Sequence, residues 1–352
     1  SFVLESPQPN SFLYMLLEIL SRYSVPAFFF ISGYGLFCQY RPESHIAYLP
    51  FLKKRLQSVG IPYVVWSLLY LLYFSAVMPG CISWQPGNIA FLLFYGLSCY
   101  HLYFMVILLW FYFTFPLWHK LFAFFQRWGL KLGFALLFFL QITFNYWTCH
   151  PNINSTELPL LLQNLFNYRL NYLPLHYLFI FMLGGLAAIY YNKFIKFITS
   201  HFTAVNIFYI FTLFFIGGSY YYYYFYYNYS LIILVNTFQQ LSLQGFLYTI
   251  ASLLFFCAVF SKTNLNNPCR QFIHLLSVNS LIVYLIHPFW MDIINRLCHA
   301  GGIVMTSKRI LAIYFLLVAL SVFSSILLTK LGSKFPHLAL LLTGKRPKTN
   351  TF

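Results

Sequence analysis

Apolar residues do not alternate with polar ones along this chain; they come in long runs separated by short polar or basic connectors. The runs cover residues 12–37, 60–78, 89–118, 130–148, 174–191, 203–222, 231–260, 277–298 and 310–329. One bilayer crossing takes about 20 mostly apolar residues in an α-helix. Lipid offers no partner for a backbone N–H or C=O, so a crossing segment must satisfy its own. Runs of this length therefore predict transmembrane helices. Two are too long for one plain crossing. The run 89–118 predicts a short interfacial helix, then a span starting near His101. The run 231–260 is broken by Gln239, Gln240, Ser242, Gln244 and Gly245, which leaves 245–260 as its span. The pattern predicts an all-α, polytopic transmembrane helix bundle of about nine spans.

Composition sharpens this picture. The chain is 61% hydrophobic and 7% charged, with a mean hydropathy of +0.72. A soluble domain carries about 25% charged residues, and a chain this poor in charge could not cover a water-facing surface. No stretch is long enough to form a separate soluble domain. The division predicted is an outer polar segment at 1–11, one membrane domain at 12–330 and a basic cytoplasmic tail at 331–352. The first ten residues lack the basic start and small-residue cleavage site of a signal peptide.

Charge supplies the orientation. There are 21 Lys and Arg against 5 Asp and Glu, a net charge of +16. In a soluble protein that balance would suggest nucleic acid. Here the basic residues sit in short connectors, so the reading is a positive-inside signal, and no nucleic-acid partner is expected. The connectors 38–59, 119–131, 192–202 and 261–276 and the tail 330–352 hold 16 of the 21. The opposite set holds Arg169, Arg296, Lys308 and Arg309, and Arg22 lies inside the first run. A missed or invented span would scramble that alternation. The C-terminus is thus predicted to be cytoplasmic and the N-terminus, as given, outside. The tract Tyr220–Tyr229 falls at the outer interface, where Tyr rings suit the headgroup layer; a platform for stacking glycan rings is the sharper alternative. The seven cysteines are odd in number, scattered and without a C-x-x-C. They read as small buried hydrophobes, with neither a metal site nor a disulfide framework.

Ionisable groups within the bilayer are costly, so each is a functional candidate. Glu18 and Arg22 lie four apart on one helix face. They predict either an i,i+4 ion pair or a substrate-binding site in which Arg22 holds an anionic group. Lys53, Lys54 and Arg55 open the second span on the cytoplasmic side. They anchor it to lipid phosphates, or Arg55 with Lys54 binds the phosphates of a donor, since a guanidinium fork suits phosphate oxygens. His101 stands at the outer start of a span and His287 near the middle of another. A lone histidine in a membrane helix is commonly a hydrogen-bonded structural group, and Pro288 frees a backbone carbonyl that His287 could serve. Imidazole is also the side chain best suited to proton transfer near neutral pH, so His101 and His287 are the catalytic candidates. Asp292 follows His287 by five residues, a spacing that does not share a helix face. No Ser/His/Asp triad can be argued from spacing.

Several stretches together resemble one family. Ser24-Val25-Pro26-Ala27-Phe28-Phe29-Phe30-Ile31-Ser32-Gly33-Tyr34 resembles the V-P-x-F-F-x-x-S-G-F segment of the bacterial membrane acyltransferase family 3. Lys53-Lys54-Arg55, followed by Ile61-Pro62-Tyr63 and Trp66, resembles its K-K-R…I-P-Y-x-x-W segment. Tyr100-His101-Leu102-Tyr103-Phe104 is similar to its H-L-W/Y-F segment, in the form found in the branch that modifies surface poly-N-acetylglucosamine. Phe181-Met182-Leu183-Gly184-Gly185 resembles its F-x-x-G-G turn, and Ser280 to Pro288 its S-x-x-x-Y-L-x-H-P segment. The matches run in family order from about residue 24 to 290.

The resemblance implies transfer of an acyl group, acetyl or succinyl, from a cytoplasmic acyl-CoA to a sugar hydroxyl of a cell-envelope polysaccharide, in the bacterial cytoplasmic membrane. The partners implied are the lipid bilayer and an envelope or lipid-linked glycan. Arg55 would lie on the donor side, with His101 and His287 lining the path or shaping the site. The family's first helix carries an arginine and a histidine thought to act in catalysis, and no stretch here matches it. Nine spans with an outer N-terminus are also one fewer than the family's ten. The expectation is that this chain lacks that helix, which puts the activity of the polypeptide alone in question; the DNA upstream of Ser1 is the check. The alternative function is a polysaccharide exporter or flippase, although no half-chain repeat of the kind common in transporters is visible. A sensor or scaffold without chemistry is a third.

Overall fold

The structure, a computed structural model, describes residues 8–150, 155–263 and 266–344. The described residues are 84% helical, with no strand among them. The first helices are α1 (Gln8–Ser21), α2 (Ser24–Gln39), α3 (Tyr48–Arg55) and α4 (Ile61–Val77). A π-helical turn, Leu56–Gly60, joins α3 to α4. There follow α5 (Pro86–Tyr95), α6 (Tyr103–Phe113), α7 (Phe115–Trp128) and α8 (Leu130–Cys149). Short α9 (Leu160–Asn167) and α10 (Arg169–Tyr172) lead to α11 (Leu178–Ile189) and α12 (Tyr191–Ser200). The last six are α13 (Phe202–Tyr226), α14 (Leu231–Thr237), α15 (Leu243–Lys262), α16 (Asn267–Ala300), α17 (Ser307–Lys334) and α18 (Pro336–Thr343).

Among the described residues, seven helical segments are long and apolar enough to cross a membrane, or nine when two broken pairs, α6 with α7 and the stretch from Pro174 to Ser200, each count as one. Each of these overlaps one run of the sequence in order, although α7 and α12 carry helix into the expected connectors 119–131 and 192–202. The second pair is bent by 102°. The two overlong runs divide as their polar residues dictate. In the first, α5 ends on Gly96, whose φ of +68° is costly for any residue with a Cβ. A Cβ there would also lie 2.7 Å from the Tyr103 Cα. In the second, Ser242 caps α15 by accepting the Gly245 N–H at 3.1 Å. Asn266 caps α16 likewise, accepting from Cys269 at 3.1 Å.

The chain divides into two compact units. The first comprises Ser1–Ile46, Thr114–Gln163 and Pro174–Asn264. Its centre is the crossing of α2 and α11. A Cβ on Gly33 would sit 2.0 Å from the Phe181 carbonyl oxygen, and one on Gly184 2.0 Å from that of Phe30. The backbones therefore meet through reciprocal glycines, as small residues permit in membranes. The Gly184-Gly185 pair is thus not a turn, as its motif suggested; it lies inside α11 and makes a helix contact. Phe37 packs beside it against Phe115, Phe122 and Phe181, with ring centroids 5.4, 5.0 and 6.3 Å away.

The second unit comprises Ala47–Phe113, Asn164–Leu173 and Leu265–Phe352. Here α16 and α17 are joined by polar contacts worth roughly 0.5–2 kcal/mol each in lipid: Trp290 Nε1 donates to Ser324 Oγ at 3.0 Å and Thr329 Oγ1 to Asn279 Oδ1 at 2.7 Å. Part of the expected basic tail is helical. Lys334 ends α17, and α18 packs on α4, where Trp66 Nε1 donates to the Leu342 carbonyl at 3.1 Å. Lys345, Arg346 and Lys348 lie outside the described residues, as does most of the outer polar segment 1–11. Phe315 and Phe323 on α17, like Phe211 and Phe214 on α13 in the first unit, are exposed and present apolar surface suited to lipid.

Candidate active site

The second unit brings His101 and His287 together; their ring centroids are 5.3 Å apart at 69°. Pro288 begins the explanation. It has no N–H, so the carbonyl four residues back, that of Tyr284, loses its helical partner. His287 Nδ1 stands 2.7 Å from that oxygen. A carbonyl can only accept, so Nδ1 carries the hydrogen. In the neutral ring Nε2 then holds the lone pair. One bond repairs the helix and also presents a basic nitrogen.

Tyr284 fixes the other half. Its hydroxyl donates to the His101 carbonyl, and its ring lies 5.0 Å from the His101 imidazole. The Tyr70 ring flanks His101 at 5.5 Å, while its hydroxyl donates to the Leu285 carbonyl at 2.7 Å. His101 is buried, and neither of its ring nitrogens has a hydrogen-bond partner among the described residues. It stands in the loop that Gly96 turns back onto the start of α6.

A cavity of about 470 Å³ adjoins this loop, lined by Ser98, Cys99 and Tyr100 and by Leu71, Phe74 and Asn88 among others. Burial pushes the Cys99 thiol up to about 11, so it is no ready nucleophile. Asp292 takes no part in the pair. It accepts from the Tyr73 hydroxyl and from Arg296 Nε, each at 2.7 Å, in keeping with its five-residue offset from His287.

Arg55 lies in the same unit, half-buried where α3 passes into the π-helical turn. Its guanidinium carbon is 5.6 Å from both the Phe51 and Tyr112 ring centroids. Such faces hold a cation by their quadrupole. Lys53 and Lys54 beside it are exposed. A forked cation flanked by exposed ammoniums makes this a locally basic surface. Tyr112 and Tyr103 are nine residues apart on α6, about 14 Å of helix axis at about 1.5 Å per residue. Arg55 and the histidine pair thus attend opposite ends of one helix.

Glu18 and Arg22 belong to the first unit. Their i,i+4 ion pair is formed, with Arg22 Nε 2.7 Å from Glu18 Oε2. Arg22 Nη2 also donates to the Tyr220 hydroxyl and the Val235 carbonyl, each at 2.7 Å. These contacts tie α1 to α13 and α14. Arg22 is 7% exposed, and these partners are protein groups.

Sequence reasoning missed Tyr70, Tyr284 and Ser98. Tyr284 was visible within the family-like segment; Tyr70 carries no signal inside an apolar run. It also missed a polar network in the first unit. Gln141 Nε2 donates to Asn145 Oδ1 at 3.0 Å, and His176 Nδ1 stands 3.1 Å from the same oxygen. Two amides four residues apart in the apolar run 130–148 were its signal.

The site is thus a pair of imidazoles in a multi-span helical bundle, one of them, His287, with its tautomer fixed by a backbone carbonyl. The chain belongs to acyltransferase family 3: the family model described as an acyltransferase domain matches residues 2–330. It is a membrane acyltransferase. No curated protein and no solved structure matches it.

Proposed function

We propose that the protein transfers an acetyl or succinyl group from a cytoplasmic acyl-CoA to a sugar hydroxyl of a cell-envelope polysaccharide, in the bacterial cytoplasmic membrane with its C-terminus inside. The observation that carries this reading is the His287 imidazole, with Nδ1 held 2.7 Å from the Tyr284 carbonyl. Its Nε2 takes the proton of the attacking hydroxyl. The hydroxyl oxygen bonds to the thioester carbonyl carbon, the carbon–sulfur bond breaks, and the proton passes on to the departing thiolate. The products are the O-acyl sugar and free CoA. His101, against the His287 ring, shapes the site. Arg55 and Lys54 hold the donor's phosphates. The Tyr100–Phe104 segment favours a poly-N-acetylglucosamine acceptor. Arg22 and Glu18 hold α1 against α13 and α14 within the first unit.

The test is envelope-glycan O-acylation in a deletion strain complemented with the full reading frame, wild type or His287→Ala. Wild type restores acylation and the variant does not. Unchanged acylation in the deletion strain overturns the proposal, as does full activity of a stably expressed His287→Ala.

A further inference from the structure

The first unit holds a cavity of about 810 Å³ that the chemistry above leaves unused. It lies at the C-terminal end of α8, beside the last turns of α13, α14 and the start of α15. Its polar wall includes Asn145, Asn236, Gln239 and Gln244, and its rings include Tyr146 and Tyr223. Among the described residues no Lys, Arg, Asp or Glu lines it; His150 does. Its size falls in the range of small-molecule sites, about 300–1,000 Å³.

Asn145 carries the argument. It is 1% exposed, and its amide orientation follows from its neighbours. The Phe179 N–H donates to Gln141 Oε1 at 3.0 Å, so the other end of Gln141 is its NH2. That NH2 donates to Asn145 and fixes Oδ1 as the acceptor. The Asn145 Nδ2 is therefore the remaining end. It is buried and has no hydrogen-bond partner among the described residues, and the residue lines the cavity. A buried unsatisfied donor costs about 1–3 kcal/mol, and a small shift of the wall that lets an acceptor in the cavity reach Nδ2 relieves it.

We infer that this cavity binds a neutral saccharide, with carboxamides meeting its hydroxyl and amide groups and a Tyr146 or Tyr223 ring meeting a sugar face. Phosphate or uronate ligands would need a permanent cation, and the described wall offers only the His150 imidazole. A lipid tail would leave the carboxamides and the Asn145 donor unmet. The inference rests on the glycan-acceptor reading and deepens it, by giving acceptor recognition its own site in the first unit.

The test is calorimetric titration of the detergent-purified full chain with the N-acetylglucosamine tetramer, maltotetraose and tetragalacturonate. At least one neutral oligosaccharide binds, and tetragalacturonate binds at least about tenfold more weakly, a difference of about 1.4 kcal/mol. Asn236→Ala with Gln239→Ala, and Tyr146→Ala separately, weaken neutral binding by about tenfold while the thermal midpoint holds. Asn145→Leu abolishes binding; the rim variants decide the matter if that variant does not fold. Absence of binding by all three sugars overturns the inference, as do equal binding of the anionic sugar and rim variants that bind like wild type. If no sugar binds yet His287-dependent acylation persists in cells, the site falls and the function stands. If a neutral sugar binds as described and acylation does not depend on the protein, the site stands and the function falls.

Discussion

Replacing Gly33 with alanine should be far more damaging than replacing Gly35, two residues along the same helix. At Gly33 the added Cβ would lie 2.0 Å from the Phe181 carbonyl oxygen, while ordinary contact begins near 3.4 Å, so α2 and α11 must part by about 1.4 Å. The obstacle is backbone, which cannot rotate away as a side chain can. Parting the helices also loosens Phe29, Phe37 and Phe181, all at most 1% exposed. Overpacking costs about 1–3 kcal/mol, and a backbone obstacle puts this case at the top, about 3 kcal/mol. Alanine returns up to about 1 kcal/mol of helix propensity at either position. At Gly35 nothing lies within 4 Å of the added Cβ, so only that gain remains. The two variants should therefore differ by about 3 kcal/mol, or about 4 °C in Tm. Gly184→Ala should match Gly33→Ala. The double variant should cost less than the sum, because one separation of the helices relieves both clashes. The assay is thermal unfolding of each variant in one detergent. Coincident melts for Gly33→Ala and Gly35→Ala would refute the close crossing.

Three more perturbations bear on the site. His287→Asn keeps a donor for the Tyr284 carbonyl but has no basic nitrogen; it should melt within about 1 kcal/mol of wild type and lose about 10²–10⁴-fold in acyl transfer, measured by labelled-acetyl incorporation. His287→Ala should lose about 1–3 kcal/mol, and Pro288→Ala should restore that stability by returning an N–H to the Tyr284 carbonyl, without restoring transfer. Arg22→Met leaves Glu18 buried without its partner and should cost about 3–5 kcal/mol in chemical denaturation, whereas Glu18→Gln with Arg22→Met should recover part of the loss. Arg55→Ala should raise KM for acetyl-CoA with the acceptor KM unchanged, and the exposed Lys53→Ala should raise it less; equal donor KM values in all three proteins would remove Arg55 from the donor site.

The sequence made the spans legible because each apolar run is a transfer free energy that lipid rewards locally, whatever the tertiary contacts. The breaks within runs 89–118 and 231–260 were legible too, the second because the polar stretch from Gln239 to Gly245 interrupts its run locally; that Gly96 makes the first turn and Ser242 caps α15 came from the structure. The bond from His287 to the carbonyl freed by Pro288 was also visible, as both partners lie on one helix. The approach of His101 to His287 was not, because no local rule links residues on separate spans. The Gly184-Gly185 pair shows the ambiguity of glycine, which serves a turn or a close crossing equally well. Only the partner helix decides between them. Asn145 and Gln141 were legible as a polar pair, but not as the wall of a cavity whose other side is supplied by α13 and α14.

The histidine pair also has a birth time. Residues 101 and 287 are 186 positions apart in the chain, and the unit that unites them is closed by its final helix, with Gly344 packed against the Ser58 carbonyl. At about 5–20 residues per second, the ribosome needs roughly 10 to 40 s to reach the second imidazole after making the first. During that interval α6 and its loop wait in the bilayer without their partner, and most of the other unit is made meanwhile. The two imidazoles therefore cannot meet until α16 is made, and any product ended before it can hold lipid contacts yet have no basic nitrogen from His287 to offer.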